Sequence, residues 1–470
     1  MSAHAAVRIC LGAIALFCVA GLVRAAAIVP LHVPLDPNEG WNAYHALHAM
    51  TGEALYPVPD SFFVNNYPPL SFYIVGAFGF LTGDNIIAGR IVSLIALLAI
   101  AVLIWACARR LKSNFEGAAF AALSFVAGLL VFTDYVGMDD PQMLGHAVSL
   151  SGLVLLLQKP RDLRYAAAAA FLMAGACFIK HNLIALPAAT AMWLLLWDRR
   201  SAIAFMTSGI VACLFGIGIF RAVYGIGLWS VLASARSFSS SQLIAALGSW
   251  LIWAGVPLAG ISAFLLKRRD NRDVAFCALY AAVSIVVAVA FAGGAGVDMN
   301  IWFDAMIALG LGTALMLTKL EGQRRAFGAF ALALPLIAGV ALNWDSAWLE
   351  HEFWLHPLRD ENAMAANDIY FIETRKGPAL CEMLSLCYWA GKTAQVDTFN
   401  LGEAYKTHSR SDDMLVHTLN DRRYAIIEFD SLDDFALTPR VKRALLGAYR
   451  VDHTDDEGVF LVPVSATPRL

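Results

Sequence analysis

Charge is scarce in this sequence. Asp, Glu, Lys and Arg make up 15% of its 470 residues, and 59% are hydrophobic. Soluble domains carry roughly 25% charge and about 45–50% apolar residues, so a chain made only of soluble domains is excluded. A basic excess is also missing: the net charge is −3, which removes the electrostatic footprint of a nucleic-acid partner. Cysteine is sparse and unclustered. Cys10, Cys18, Cys107, Cys177, Cys213 and Cys277 lie in apolar segments, where they read as small core residues. Cys381 and Cys387 stand near the C-terminal end. They can pair if that region faces an oxidising compartment, or remain two inert thiols. No clear internal repeat is present.

What the chain has in abundance is long apolar runs. A bilayer-spanning helix needs about 20 mostly apolar residues. Runs of this kind lie near 8–30, 85–107, 115–133, 141–158, 164–180, 182–197, 202–220, 242–265, 274–292, 301–318 and 326–343, which makes about eleven spans. The fifth and sixth are short and meet at Lys180-His181. The connecting loops differ in positive charge. With the N-terminus taken as cytoplasmic, the inner loops hold Arg109, Arg110, Lys112, Lys159, Arg161, Arg164, Arg199, Arg200, Lys267, Arg268, Arg269, Arg272, Lys319, Arg324 and Arg325. The outer side up to residue 344 holds only Arg24, Arg90, Lys180, Arg221 and Arg236. This asymmetry predicts a cytoplasmic N-terminus and an external C-terminal region. Residues 8–27, ending in Ala25-Ala26-Ala27, also have a signal-peptide look; their removal would leave the charge pattern of the rest unchanged.

Chemistry-bearing residues gather in the outer loops. The first, residues 31–84, is long. Its stretch from Glu39 to Met50 predicts a short amphipathic helix with Trp41 and Tyr44 at the lipid–water interface. Pro68-Pro69 opens a second helix whose Phe72, Tyr73, Phe78 and Phe80 suit a membrane surface. In the second outer loop, Asp134, Asp139 and Asp140 crowd together. Such crowding disfavours joint ionisation without a compensating cation, and Asp140 before Pro141 also reads as a helix N-cap. Lys180 and His181 interrupt an apolar stretch, and ionisable groups at membrane depth are costly enough to suggest function; a lysine snorkelling to the interface is the plainer alternative. A later loop combines glycines with Asp298, Asn300, Trp302, Phe303 and Asp304. It suits a sugar's hydroxyls and ring faces, or is a glycine turn with Asp304 facing water.

In that order and spacing, the motifs resemble the bacterial integral-membrane glycosyltransferases of the GT-C superfamily, of the protein O-mannosyltransferase and lipid A aminoarabinose transferase types. Asn38-Glu39 is similar to the family's acidic first-loop motif, usually Asp-Glu. Asn66 and Tyr67-Pro68-Pro69-Leu70 are similar to its Pro-Pro-Leu segment, and Arg90 with Ser93 to its next span. Asp139-Asp140, Lys180-His181, and Asn300 with Asp304 follow as later elements. Asn38 departs from the pattern, because an asparagine cannot act as a base, so Asp36 or Glu39 would take that role.

The resemblance implies a mainly α, polytopic GT-C fold. Residues 1–344 would be the catalytic membrane domain, with amphipathic helices in its first periplasmic loop, 31–84. Residues 345–470 would form a small α/β periplasmic domain. There, DIYFIET, AQVDTF, RYAIIEFD and GVFLVPVS read as strands, and ALCEMLSLCYWAG and VKRALLGAYR as helices. The implied activity is inverting transfer of a sugar from a polyprenyl-phosphate donor to the hydroxyl of a lipid, glycan or protein acceptor, at the periplasmic side of the bacterial inner membrane. Asp36 or Glu39 would be the base, and Lys180, Arg90 or Arg221 would meet the departing phosphate. Asn38, Asn66, Tyr67, Asp139, Asp140, His181, Asp298, Asn300 and Asp304 would bind substrate. No cofactor is implied as obligatory, and a divalent cation stays open. These carboxylates form no His/Cys cluster, which argues against zinc among them. The rival reading is a transporter or flippase of lipid-linked sugars, a class that often shows inverted repeats.

Overall fold

The computed structural model describes residues 3–57, 60–233, 236–268, 271–342 and 353–464. Arg269 and the expected boundary at residues 344–345 lie outside them. Eleven helices occupy the expected spans: α1 (Ala3–Ile28), α4 (Asn85–Arg110), α5 (Phe115–Phe132), α6 (Pro141–Gln158), α7 (Leu163–Ile179), α8 (Ala185–Trp197), α9 (Arg199–Tyr224), α11 (Ser240–Lys267), α12 (Arg272–Phe291), α13 (Phe303–Lys319) and α14 (Gly322–Leu342). Among the described residues, eight helices are long and apolar enough to cross a membrane. The exceptions among the eleven are α6, whose first turns carry Gln142 and His146, and the short pair α7 and α8. Asp84, Asn114 and Asp140 cap α4, α5 and α6 by accepting first-turn backbone N–H groups, which satisfies donors that a helix start leaves open. The packed centre is α13, buried nearly throughout, while the other spans turn side chains such as Leu16, Phe171, Phe215 and Phe330 outward. That outward apolar surface is what lipid requires.

Inside the bundle a polar chain joins α6, α12 and α13. Gln142 Nε2 and His146 Nε2 are 3.0 Å apart, His146 Nδ1 lies 4.0 Å from Asp304, and the Tyr280 hydroxyl donates to Asp304. Asp304 therefore faces the bundle interior rather than water. Trp302, beside it, stacks on Trp250 at 4.5 Å.

The first outer loop carries α2 (Pro37–Thr51) and α3 (Leu70–Thr82), and a short α10 (Leu228–Leu232) follows α9. Tyr73, Phe78 and Phe80 are exposed on α3, but Phe72 is buried. Trp41 and Tyr44 do not lie at a lipid interface either: they are 5% and 2% exposed. The C-terminal unit covers them. Trp41 Nε1 donates to Asp397 Oδ2 at 3.0 Å, and the Tyr44 hydroxyl to the Lys392 carbonyl at 2.7 Å. An amphipathic face needs an apolar partner, and here that partner is protein.

The C-terminal unit holds α15 (Leu358–Glu373), α16 (Leu384–Trp389), α17 (Thr398–Lys406), α18 (Asp413–Asn420) and α19 (Pro439–Ala448) around a four-stranded sheet. The strands are β1 (Ala379–Cys381), β2 (Ile426–Phe429), β3 (Tyr449–Thr454) and β4 (Val459–Pro463), in the order β1-β2-β4-β3. Only β1 and β2 pair in parallel. The expected strands RYAIIEFD and GVFLVPVS are present as β2 and β4, and the expected helix VKRALLGAYR as α19, which ends at Ala448 where Tyr449 begins β3. The expected strand DIYFIET is the end of α15, where Leu358, Ala365, Asp368 and Ile372 form one buried helical stripe. The expected helix at 379–391 starts late, because Ala379–Cys381 joins β2. AQVDTF is not a strand: Asp397 caps α17. Cys381 and Cys387 form a disulfide, a bond that persists in oxidising surroundings.

Candidate active site

The site begins at the start of α2. Pro37 at the first helical position leaves Asp36 as N-cap, and Asp36 Oδ1 accepts from Asn38 N at 2.7 Å and Asn38 Nδ2 at 2.6 Å. Both bonds fall on one oxygen. Burial pushes the Asp36 carboxyl up to about 6, with Glu39 and Asp140 adding to the rise and the Asn38 bonds opposing it.

Glu39, three residues on, has a different setting. It is fully buried against Arg90. Arg90 Nε donates to Glu39 Oε1 at 2.8 Å and Nη2 to Oε2 at 2.5 Å, while the remaining guanidinium donors meet the carbonyls of Ile28, Leu31 and Val33. Glu39 also accepts from the backbone N–H of Leu35 and Asp139. Every Arg90 nitrogen is engaged, so no donor remains for a phosphate, and both Glu39 oxygens are occupied. The pair ties α2, α4 and the loop before α6 into one frame. Asp139 belongs to this frame: its carbonyl accepts from Asn42 Nδ2 at 2.8 Å, and its carboxyl sits where any Gly89 side chain would lie. Burial, then Glu39, holds Asp139 well above the usual carboxylate range.

In front of the frame opens a cavity of about 290 Å³ whose lining includes Asp36, Asn38, Trp41, Asn66, Tyr67, Tyr135, Asp140, Arg236 and Asn300, together with Glu382, Asp397, Asn400 and Asp430 of the C-terminal unit. Lys180 stands behind this lining. Its ammonium donates to the Tyr67 hydroxyl at 2.9 Å and to Asp140 Oδ2 at 3.1 Å, and lies 4.1 Å from the Tyr67 ring centroid. It also donates to Asp140 Oδ1 at 3.5 Å, so its three N–H donors are all directed at Tyr67 and Asp140. Arg236 Nη2 donates to Asn400 Oδ1 at 2.6 Å, and Asn66 Nδ2 donates to the same oxygen at 3.2 Å. Arg236 Nη1 is buried without a hydrogen-bond partner.

Of the residues singled out from the sequence, Asp36, Asn38, Asn66, Tyr67, Asp140 and Asn300 line the cavity, and Lys180 contacts two of them. Glu39, Arg90 and Asp139 form the frame behind it. His181, Asp298 and Asp304 are not in the lining. Burial, then Lys180 and Arg236, pushes His181 down to about 4. Sequence reasoning missed Arg236, Tyr135 and the wall supplied by Glu382, Asp397, Asn400 and Asp430. Arg236 had one available signal, as an isolated cation on the outer side; the tail residues belong to no motif and reach the site only through folding.

Residues 66–224 match the model of the dolichyl-phosphate-mannose-protein mannosyltransferase family. No curated protein matches the chain. The fold is that of ArnT from Cupriavidus metallidurans, solved bound to undecaprenyl phosphate. That structure is similar to this chain with a TM-score of 0.64 at 16% identity, over 97% of this chain and 99% of the other. The apo state of the same protein gives 0.64 at 16% identity, over 95% and 98%. A polytopic, mainly α architecture with a small C-terminal α/β unit, as the sequence motifs implied, is therefore the architecture found.

Proposed function

We propose that this chain is a membrane glycosyltransferase that moves a sugar from a polyprenyl-phosphate donor to an acceptor hydroxyl, with Asp36 as the general base. One observation carries this reading: a single cavity is lined by a half-buried carboxylate with a free oxygen, Asp36, and by a cation with an unspent donor, Arg236, while the Lys180 ammonium backs the lining through Tyr67 and Asp140. The matched family model and the lipid phosphate bound to ArnT agree with it.

Asp36 Oδ2 takes the proton of the acceptor hydroxyl while the oxygen attacks the anomeric carbon. The bond from that carbon to the phosphate oxygen breaks, and the configuration inverts. The polyprenyl phosphate leaves with its new negative charge beside Arg236, and the Lys180 ammonium behind Tyr67 and Asp140 adds positive potential. A carboxyl held at about 6 is ionised at neutral pH and still basic enough to accept a proton. Glu39 is a positioning residue: with Arg90 it holds the helix start that presents Asp36. The aromatic faces of Trp41, Tyr67 and Tyr135 suit sugar rings, and the carboxylates of Glu382, Asp397 and Asp430 suit hydroxyls. The cavity lies on the outer side of a bacterial inner membrane in this reading, supported by the Lys/Arg asymmetry and by the disulfide.

The test uses purified protein with a radiolabelled polyprenyl-phosphate sugar. Release of free polyprenyl phosphate with label in an acceptor supports the transferase; movement of intact donor between leaflets without release refutes it.

A further inference from the structure

We propose that the C-terminal unit holds a divalent transition-metal ion of the zinc class between Asp368 of α15, His453 of β3 and Asp455 in the turn after β3. This site is separate from the cavity and does not rest on the transferase reading.

One donor atom from each of the three residues lies within 4.8 Å of the others. His453 Nε2 is 3.9 Å from Asp368 Oδ1 and 3.6 Å from Asp455 Oδ2. Neither distance is a hydrogen bond. Ligands at about 2.0–2.2 Å from one zinc ion stand roughly 3.4 Å apart in a tetrahedral site, so small side-chain movements would bring these donors onto an ion. An independent observation concerns Asp368. It is 3% exposed, no N–H or hydroxyl donates to its Oδ2, and its carboxyl lies beside the Asp455 carboxyl. A buried carboxylate left this way is costly unless a proton or a cation compensates it.

The neighbours orient these donors. The His453 ring stacks on Phe460 at 4.6 Å and meets the edge of Phe371 at 4.7 Å. Its Nδ1 lies 3.3 Å from Asp452 Oδ2. With the proton on Nδ1 shared with that carboxylate, Nε2 presents its lone pair, the arrangement by which outer carboxylates hold metal-binding histidines. Asp455 Oδ1 accepts from the backbone N–H of Glu457 at 3.1 Å and of Gly458 at 3.3 Å, which leaves Oδ2 directed at His453. The register of β3 against β4 shifts between Val451 and His453, and such bulges re-aim side chains. One imidazole with carboxylates suits zinc better than calcium, which takes oxygen ligands. The ion would tie the β3–β4 turn to α15, the helix whose Glu361 pairs with Arg24 of α1.

The experiment uses the full chain in detergent, purified without a histidine tag, stripped with EDTA and titrated with ZnCl2. Metal content is read by mass spectrometry after gel filtration, and stability by thermal melting. One zinc per chain and a raised melting temperature are expected. His453→Gln and Asp455→Asn each weaken binding by about 100-fold or more, and Asp452→Asn by about 10–100-fold. Asp36→Asn and Asp140→Asn keep wild-type zinc content. Asp455 sits partly exposed in a turn, so Asp455→Asn decides the matter if the histidine variant misfolds. Folded protein that retains no zinc overturns the proposal. So does undiminished binding in Asp455→Asn, or zinc lost in Asp36→Asn and kept in Asp455→Asn.

Discussion

Asp36 keeps Oδ2 clear of the two Asn38 bonds that occupy Oδ1, and this division of labour within one carboxylate sets its expected behaviour. Asp36→Asn should retain donor binding and lose transfer by about 10²–10⁴-fold, read as kcat in the radiolabelled assay; an unchanged rate would remove Asp36 from the chemistry. The acid limb of the pH profile should follow its titration. Burial raises this carboxyl to about 6, so the base form is present above that pH and is lost, about tenfold per pH unit, as pH falls below it. Glu39 should fail differently. Glu39→Gln leaves the fully buried Arg90 charge without its partner, and breaking one side of a buried pair costs about 3–5 kcal/mol. The expected signature is loss of folded protein in membranes and a lower melting temperature.

Between elements, a tight fit occurs where α2 meets α16. A Cβ on Gly40 would overlap the backbone of Leu384 and Ser385, so glycine is required there by approach rather than by dihedral angle. Gly40→Ala should lift α16 away from α2 and expose Trp41 and Tyr44. Limited proteolysis should then cut the C-terminal unit faster than in the wild type, and transfer should fall because Glu382 and Asp397 leave the cavity wall. Equal protease resistance would show that the packing yields locally instead. Two misreadings from sequence belong to this scale. Amphipathic spacing in α2 revealed an apolar face, but spacing does not say whether lipid or protein covers it. Likewise, the apolar run in DIYFIET suited a strand until its place at the end of a helix that starts with Asp360 and Glu361 in the first turn decided for α15.

At the scale of the whole molecule, the cavity exists only because the C-terminal unit sits on the first outer loop. Arg24 pairs with Glu361, Trp389 Nε1 donates to Asp84 at 2.9 Å, and Asp397 N donates to the Phe62 carbonyl at 2.9 Å. The last of these bonds places the carboxylate that also receives Trp41. Since both walls must share one side of the membrane, the tail and the first loop are expected outside together. Alkaline phosphatase fused after the last residue should be active and a fluorescent-protein fusion there dark; the reverse result would place the cavity on the cytoplasmic face.

The membrane architecture was legible in the sequence because it depends on composition and period alone. A run of about 20 apolar residues has few alternatives to a spanning helix, and loop charge biases its direction. Local caps were legible for the same reason, as with Asp140 before Pro141. The different settings of Asp36 and Glu39 were not, because they turn on Arg90, which reaches Glu39 from another helix and spends all its donors there and on nearby carbonyls. Nor could the sequence show that Arg236, Asp397 and Asn400 meet, since that juxtaposition depends on how a soluble unit packs against a membrane loop. The sequence by itself determined which segments enter the bilayer and which residues are costly to place near it. Only the tertiary structure decided which of those residues face a shared cavity and which neutralise each other behind it, because burial and partnership are properties of packing and not of order along the chain.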